Sequence, residues 1–260
     1  MTADVRLPLG YDLRRHVEID STNEEARRLA NAGEPGPVWI VTERQTAGRG
    51  RRGRTWVSPA GNLMCTLLLR PACSPAKAGE LSFVAGLALH DATSALVSAD
   101  VAAKVALKWP NDLLIDGKKA SGILLESESD GKADVAWLAI GIGLNLAHHP
   151  EDTPYPATCL KAQTGDAPSI EDALTALAVA FEHWFAVWQA PEGFAAVRQA
   201  WLERARGLGE TITVRLSNEV LEGIFEGIAP EGALQLRLGG GTVRLISAGD
   251  VFFGSGGGTG

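Results

Sequence analysis

The sequence predicts an α+β fold: a mixed, mainly antiparallel sheet with flanking helices, followed by a small separate β domain. Three observations carry this reading. Strand-like and helix-like segments come in irregular order, with hairpins, rather than in strict strand–helix alternation. Two Ala-, Leu- and Trp-rich stretches, 169–190 and 192–206, have helical character. After Gly207–Gly209 the composition shifts to short strands broken by Ser-Asn, Pro-Glu-Gly and Gly-Gly-Gly turns, which suits a small β-barrel or sandwich. The expected division is a main domain at 1–206, a β domain at 207–253 and a flexible tail at 254–260.

Residues 1–20 carry little signal. Ser21 and Thr22 with Glu24 and Glu25 form two overlapping capping boxes, which predict a helix over about 22–32 ended by Gly33 and Pro35. Val38–Thr42 is β-branched and aromatic, hence a strand. Residues 45–61 are too rich in Gly and Arg for a regular element, and Leu63–Leu69 is a strand apolar on both faces. Pro75 opens a helix running to about Val97. Val105–Trp109, Leu113–Asp116, Ala120–Glu126 and Val135–Leu146 read as strands, with Asp116-Gly117 as a hairpin turn. In the C-terminal part, Thr211–Leu216, Leu221–Gly227, Ala233–Leu238 and Thr242–Ile246 are the expected strands.

Composition narrows the function classes. With 45% hydrophobic and 21% charged residues among 260, the chain is globular rather than disordered or fibrous. A net charge of −7 argues against a surface devoted to nucleic acid. Three widely spaced cysteines without a CxxC point away from disulfides and zinc, toward a reducing compartment. No signal peptide or membrane-length apolar run is present, so the expected location is cytoplasmic, with no membrane partner.

Against that acidic background, GRGRRGR at 48–54 is the outlier: four arginines in seven residues. Glycine lets the backbone approach a ligand, and arginine pairs bidentately with carboxylate or phosphate. Such a loop can hold two anions close together, and its self-repulsion favours mobility until an anion binds. The run literally matches the dinucleotide fingerprint GxGxxG, but TWVSPAG at 55–61 is no helix, and no acidic residue lies between Gly53 and Gly79. An arginine-rich RNA-binding arm, with Trp56 stacking on a base, is a second reading; no basic stripe elsewhere supports it. KWPND at 108–112 offers Asn111 and Asp112 as oxygen ligands of the kind magnesium prefers, although such a sequence after proline often makes only a turn. Lys118-Lys119 follows the Asp-Gly turn and precedes an apolar strand. GIGLN at 141–145 puts alternating glycines in a strand, which marks the close approach of a ligand or of another backbone. His148-His149 reads as a surface turn.

In combination and order, these islands resemble the biotin–protein ligase family. The matching pieces are STN at 21–23, Gln45 with GRGRRGR and Trp56, KWPND, GKK at 117–119 with GIL at 122–124, and GxGxN at 141–145. The resemblance covers about 15–150, and 207–253 looks like that family's SH3-like C-terminal domain. It implies a class II synthetase-like catalytic fold and a two-step reaction. Biotin and ATP form biotinyl-5′-AMP, and biotin is then passed to a lysine of a biotin carboxyl carrier protein. By the same resemblance, Ser21, Thr22, Asn23 and Gln45 meet biotin's ureido end, with Gly48 and Gly122 beside them and Trp56 as a wall. Arg49, Gly50 and Arg51 cover biotin and the acyl phosphate, and Lys119 contacts the carboxylate and α-phosphate; Lys119, Arg51 and Arg49 form the expected catalytic set. Lys108, Asn111, Asp112, Gly143 and Asn145 serve ATP, and Asp112 holds Mg2+. Lys119 is preferred to Lys118 for its distance to Gly122. Some family members carry an N-terminal DNA-binding domain; Ser21 comes too early for one, so no specific nucleic acid is expected, and an open sheet edge leaves room for a homodimer. The nearest rival is lipoate–protein ligase, which runs parallel chemistry on a longer acyl chain.

Overall fold

The computed structural model describes residues 4–129, 131, 133–153 and 155–253; the predicted tail at 254–260 lies outside them. Seven strands form the main sheet: β1 (Asp12–Ile19), β2 (Val38–Gln45), β3 (Leu63–Leu69), β4 (Val105–Lys108), β5 (Asp112–Ile115), β6 (Lys118–Ser129) and β7 (Val135–Leu144). Their order is β1-β2-β3-β7-β6-β5-β4, and every neighbouring pair except parallel β1–β2 is antiparallel. The segment called featureless in sequence is therefore an edge strand. Its mixture of charged and apolar residues follows from being mostly exposed along its length.

Helix α1 (Thr22–Asn31) packs on one face of the sheet, where Ala26 and Ala30 meet Val38, Ile40, Leu68 and Ala139. The other face carries the larger core, with Trp39, Cys65, Leu67, Ile140 and Ile142 beneath the helical layer. Alternate residues of β2, β3 and β7 thus enter two different cores, which is why these strands are apolar throughout rather than alternating. The helical layer begins with α2 (Pro75–Gly79) and α3 (Leu81–Ala95). The single helix expected from Pro75 to Val97 is thus interrupted at Glu80, which keeps right-handed backbone angles. Next come a short α4 (Ala99–Ala102), α5 (Leu160–Thr164), α6 (Ile170–Gln189) and α7 (Gly193–Glu203). Helix α3 is buried on nearly all sides because it lies between the sheet and α6. Asp116 and Gly117 both have positive φ, 52° and 72°, as the tight hairpin between β5 and β6 requires.

The C-terminal strands are β8 (Thr211–Arg215), β9 (Val220–Ile228), β10 (Leu234–Arg237), β11 (Val243–Ile246) and β12 (Asp250–Phe253). They form one antiparallel sheet in the order β11-β10-β9-β8-β12. Its two edges, β11 and β12, are not paired with each other among the described residues, so the sheet is not a closed barrel. β12 follows a bend at Ser247–Ala248 and escaped the sequence reading. Backbone bonds from Leu107 N to the Arg204 carbonyl (2.8 Å) and from Arg206 N to the Leu107 carbonyl (2.8 Å) strap the end of the helical layer to β4, just before the second sheet begins.

Candidate active site

The face of the sheet that carries α1 continues past the helix into a cavity of about 520 Å³. Its floor is set by strand register. Lys108 pairs with Asp112, Asp112 with Gly122, Gly122 with Gly143, and Gly143 with Met64, in one row across five strands. Glycines in this row leave space that side chains from elsewhere fill. A Cβ on Gly143 would collide with the Trp56 indole, and one on Gly141 with the Asn23 side chain. The alternating glycines of β7 are thus approached by the side chains of the loop and of α1.

A break in register between β5 and β6 places the lysine. Leu113 pairs with Ser121 but Leu114 pairs with Lys119, skipping Ala120. This bulge turns Lys119 to the same face as Gly122, which an unbroken alternation would forbid. Lys119 Nζ lies 2.6 Å from Asp112 Oδ1, and Lys108 Nζ 3.1 Å from Asp112 Oδ2. Burial pushes the Asp112 carboxyl upward, but the Lys119 and Lys108 ammonium groups outweigh it and hold it below the ordinary carboxylate range. The Lys119 ammonium also stands 5.6 Å from the centre of the Trp56 ring and 5.3 Å from that of Tyr155. Lys118 is exposed on the hairpin.

One end of the cavity is uncharged and closely bonded. Gln45 Oε1 accepts from the Thr22 amide (2.9 Å) and hydroxyl (3.2 Å), and Gln45 Nε2 donates to Ser58 Oγ (2.8 Å). Thr66 Oγ lies 2.8 Å from Thr22 Oγ and 2.6 Å from Asn23 Oδ1. Ser21 joins this end through its wall position, and its side chain does not cap α1. The predicted capping boxes are therefore not made: Thr22 is turned toward Gln45, and Glu24 toward Arg27 and Arg49. The opposite end is cationic, with Arg51, Lys108 and Lys119 beside Asn111, Asp112 and Asn145. Asn145 is fixed by donating from Nδ2 to the Thr158 carbonyl, 3.0 Å.

The arginine loop is more tied down than its charge suggested. Trp56 N donates to the Gly48 carbonyl (3.0 Å) and Gly50 N to the Arg54 carbonyl (2.7 Å), around a short 3₁₀ turn at Arg51–Gly53. Arg49 pairs with Glu24 (3.0 Å) and Glu126 (2.9 Å), and Arg52 (3.3 Å) and Arg54 (2.6 Å) both reach Asp250. The expectation of a self-repelling loop with few fixed contacts is corrected: acids distant in sequence offset the repulsion. Arg51 alone of the four has no carboxylate within ion-pair distance among the described residues; its guanidinium donates to Asn111 Oδ1 at 2.9 Å. Burial lowers the pKa of Arg51, and an arginine keeps its charge regardless.

Every predicted site residue except Gly48 lines this one cavity. Gly48 is buried at the loop's base, where a Cβ would meet the Trp56 carbonyl and Ser58 Oγ. Thr66, Tyr155 and Asp250 belong to the site and were not singled out in sequence; Gly141 was noted there only as part of the GIGLN motif. The expected metal ligand fits poorly, since each Asp112 oxygen already faces an ammonium group. Among the described residues no cluster of three or more His, Cys, Asp or Glu could hold a metal ion. No helix among them is long and apolar enough to cross a membrane.

Comparison with known proteins identifies the family. Residues 17–145 match the Biotin/lipoate A/B protein ligase family, and residues 207–254 the Biotin protein ligase C terminal domain. A biotin–[acetyl-CoA-carboxylase] ligase of Paracoccus denitrificans is 48% identical over 243 residues, 92% of this chain and 99% of that protein. The structure of a biotin protein ligase from Aquifex aeolicus in complex with biotin and ATP superposes with a TM-score of 0.77 at 27% identity, covering 93% of this chain and 97% of the other. A biotin protein ligase from Leishmania major in complex with biotinyl-5-AMP gives 0.64 at 27% identity, covering 93% and 100%. The chain belongs to the biotin–protein ligases within that wider biotin/lipoate ligase family.

Proposed function

We propose that the protein is an ATP-dependent biotin–protein ligase that makes biotinyl-5′-AMP and transfers biotin to a lysine of a biotin carboxyl carrier protein. The observation that carries this reading is the polarity of the cavity that the predicted residues line. A neutral end of amides and hydroxyls suits a ureido ring, and a cationic end suits a carboxylate beside a phosphate. Between them, Trp56 offers a flat apolar wall for an acyl chain.

In the first step a biotin carboxylate oxygen attacks the α-phosphorus of ATP. A new O–P bond forms, and the bond to pyrophosphate breaks. Both reactants are anions, so their approach must be offset by positive charge fixed in advance. Lys119 and Arg51 supply it, with Asp112 and Asn111 holding them in place. Arg49 walls the cavity beside the acyl group. In the second step the neutral amine of the carrier lysine attacks the acyl carbon. The amide forms and AMP leaves. The lid formed by residues 48–54 keeps water from the anhydride in the interval.

Magnesium is expected to accompany ATP, but Asp112 does not fit as its direct ligand, and no step is routed through it. Free, buried Cys65, Cys73 and Cys159 support a reducing, cytoplasmic setting. The match of 207–254 to the biotin ligase C-terminal domain favours biotin over lipoate. Pairing of Arg49, Arg52 and Arg54 with protein acids weighs against an RNA-binding arm.

Incubation with biotin, Mg-ATP and a biotin carboxyl carrier domain should release pyrophosphate and add biotin to the carrier lysine. Lys119→Ala should cut adenylation by about a hundredfold or more, the scale of losing a preorganised charge at the reacting oxygens. Lys118→Ala should stay within about threefold of the parent, as for an exposed substitution. Absence of biotin on the carrier, with no pyrophosphate released, overturns the reading.

A further inference from the structure

Glu126 lies outside the cavity wall, yet one of its oxygens links the neutral end of the cavity to the arginine loop. Oε2 accepts from Asn23 Nδ2 at 2.8 Å and from Arg49 at 2.9 Å. Asn23 belongs to the neutral, ureido-facing end, and Arg49 to the loop that covers the acyl group. From this geometry we propose that Glu126 is a positioning residue for biotin recognition. It fixes the amide of Asn23 and ties that amide to the loop. The inference rests on the functional reading above.

Glu126 decides which way the Asn23 amide faces. Its nitrogen has two acceptors, Glu126 and the Leu124 carbonyl, the latter at 3.3 Å. Its oxygen sits 2.6 Å from the Thr66 hydroxyl, in the space left by the missing side chain of Gly141. A carboxylate only accepts, so Glu126 permits one amide orientation and penalises the flipped one. With Asn23 Oδ1 so placed, the hydroxyl of Thr66 has a defined acceptor, and Thr22 and Gln45 continue the same directed network. The second contact concerns the loop. Arg49 is held by Glu24 as well, at 3.0 Å, so loss of Glu126 weakens its anchor without freeing it. Strand register explains the reach: Glu126 follows Gly122 and Leu124 on the site face of β6, two residues apart each time, and it pairs with Ala139 of β7 near the C-terminal end of that run.

Two substitutions separate the contacts. Glu126→Gln keeps a carbonyl that can accept from Asn23 but removes the charge facing Arg49. Glu126→Ala removes both. Biotin affinity without ATP, measured by titration calorimetry, reads the Asn23 contact. Release of biotinyl-5′-AMP, measured by chase, reads the loop. Glu126→Ala should weaken biotin about tenfold, the scale of one lost charge-assisted hydrogen bond. Glu126→Gln should stay within about threefold for biotin while releasing biotinyl-5′-AMP several times faster than the parent. Both variants should melt near the parent, because the side chain is a third exposed. Equal behaviour of the two variants in both assays, or parent-like biotin affinity in folded Glu126→Ala, overturns the proposal. Failure of the parent protein itself to bind biotin would instead overturn the functional reading.

Discussion

Asp112 shows how one buried carboxylate can organise two cations. Its side chain is 9% exposed, and those of Lys108 and Lys119 are 12% and 15%. Two ammonium groups this close repel each other, and the carboxylate between them offsets that repulsion. Asp112 thus holds Lys119 and Lys108 in place, one at each oxygen, which a direct metal role would undo. Because its pKa is depressed on folding, its contribution to stability is present above the ordinary carboxylate range and is lost as pH falls through the lowered value. Asp112→Asn should therefore cost about 3 kcal/mol near neutral pH, as for breaking a buried pair. The gap between variant and parent should close in acid, below about pH 4. Urea melts at several pH values check this; a constant gap would show that Asp112 stays unprotonated or contributes by packing alone. At this scale the sequence was most informative about residues inside dense local motifs, such as KWPND and the arginine loop. It was silent on Thr66 and Glu126. Each is one polar residue among strand neighbours, and only register with distant strands gives it meaning.

Among the elements, β7 carries the main lesson about legibility. Its alternating glycines were visible, but what approaches them was not, because Asn23 and Trp56 arrive from segments about a hundred residues away. The choice between Lys118 and Lys119 likewise needed the bulge at Ala120, which no local pattern announces. Edge strands β1 and β12 were missed for a related reason: strands with one open edge or few buried residues lack the apolar signature of central ones. Strand β3, buried on both faces, was read with its bounds intact. The packing at Gly143 leads to a paired prediction. Gly143→Ala should drive the Trp56 ring off the strand and weaken both biotin and ATP by about tenfold or more, as overpacking by one methyl costs 1–3 kcal/mol, roughly. If the collision with Trp56 is the cause, Trp56→Ala should cost less in the Gly143→Ala background than in the parent. Strictly additive effects in calorimetric titrations would place the damage elsewhere, such as in β7 itself.

The whole molecule joins its two sheets at two places with different duties. On the helical side the contact is structural: Gly232 packs under Phe83, and Leu107 is tied by backbone hydrogen bonds to Arg204 and Arg206. On the cavity side the contact is ionic, with Asp250 of β12 accepting from Arg52 and Arg54 of the loop. Val251 and Phe252 line the same cavity, so the second sheet contributes part of its wall. The arginines are 37% and 52% exposed, and exposed pairs contribute little to folding. Asp250→Ala should therefore leave the melting temperature within about 2 °C of the parent, the shift expected from a few tenths of a kcal/mol. Its effect should fall on the loop. With Arg52 and Arg54 released, ordering the lid over the nucleotide costs more, and the KM for ATP should rise about three- to tenfold, the equivalent of one or two weak ion pairs. Biotin binding without ATP should be unchanged, because the ureido end is anchored to α1, β2 and β3 rather than to the second sheet. Exchanging the charges, Asp250→Arg with Arg54→Asp, should recover part of the ATP affinity that either single reversal loses. A large drop in melting temperature for Asp250→Ala, or equal losses for biotin and ATP, would show that Asp250 holds the sheets together rather than the loop in place.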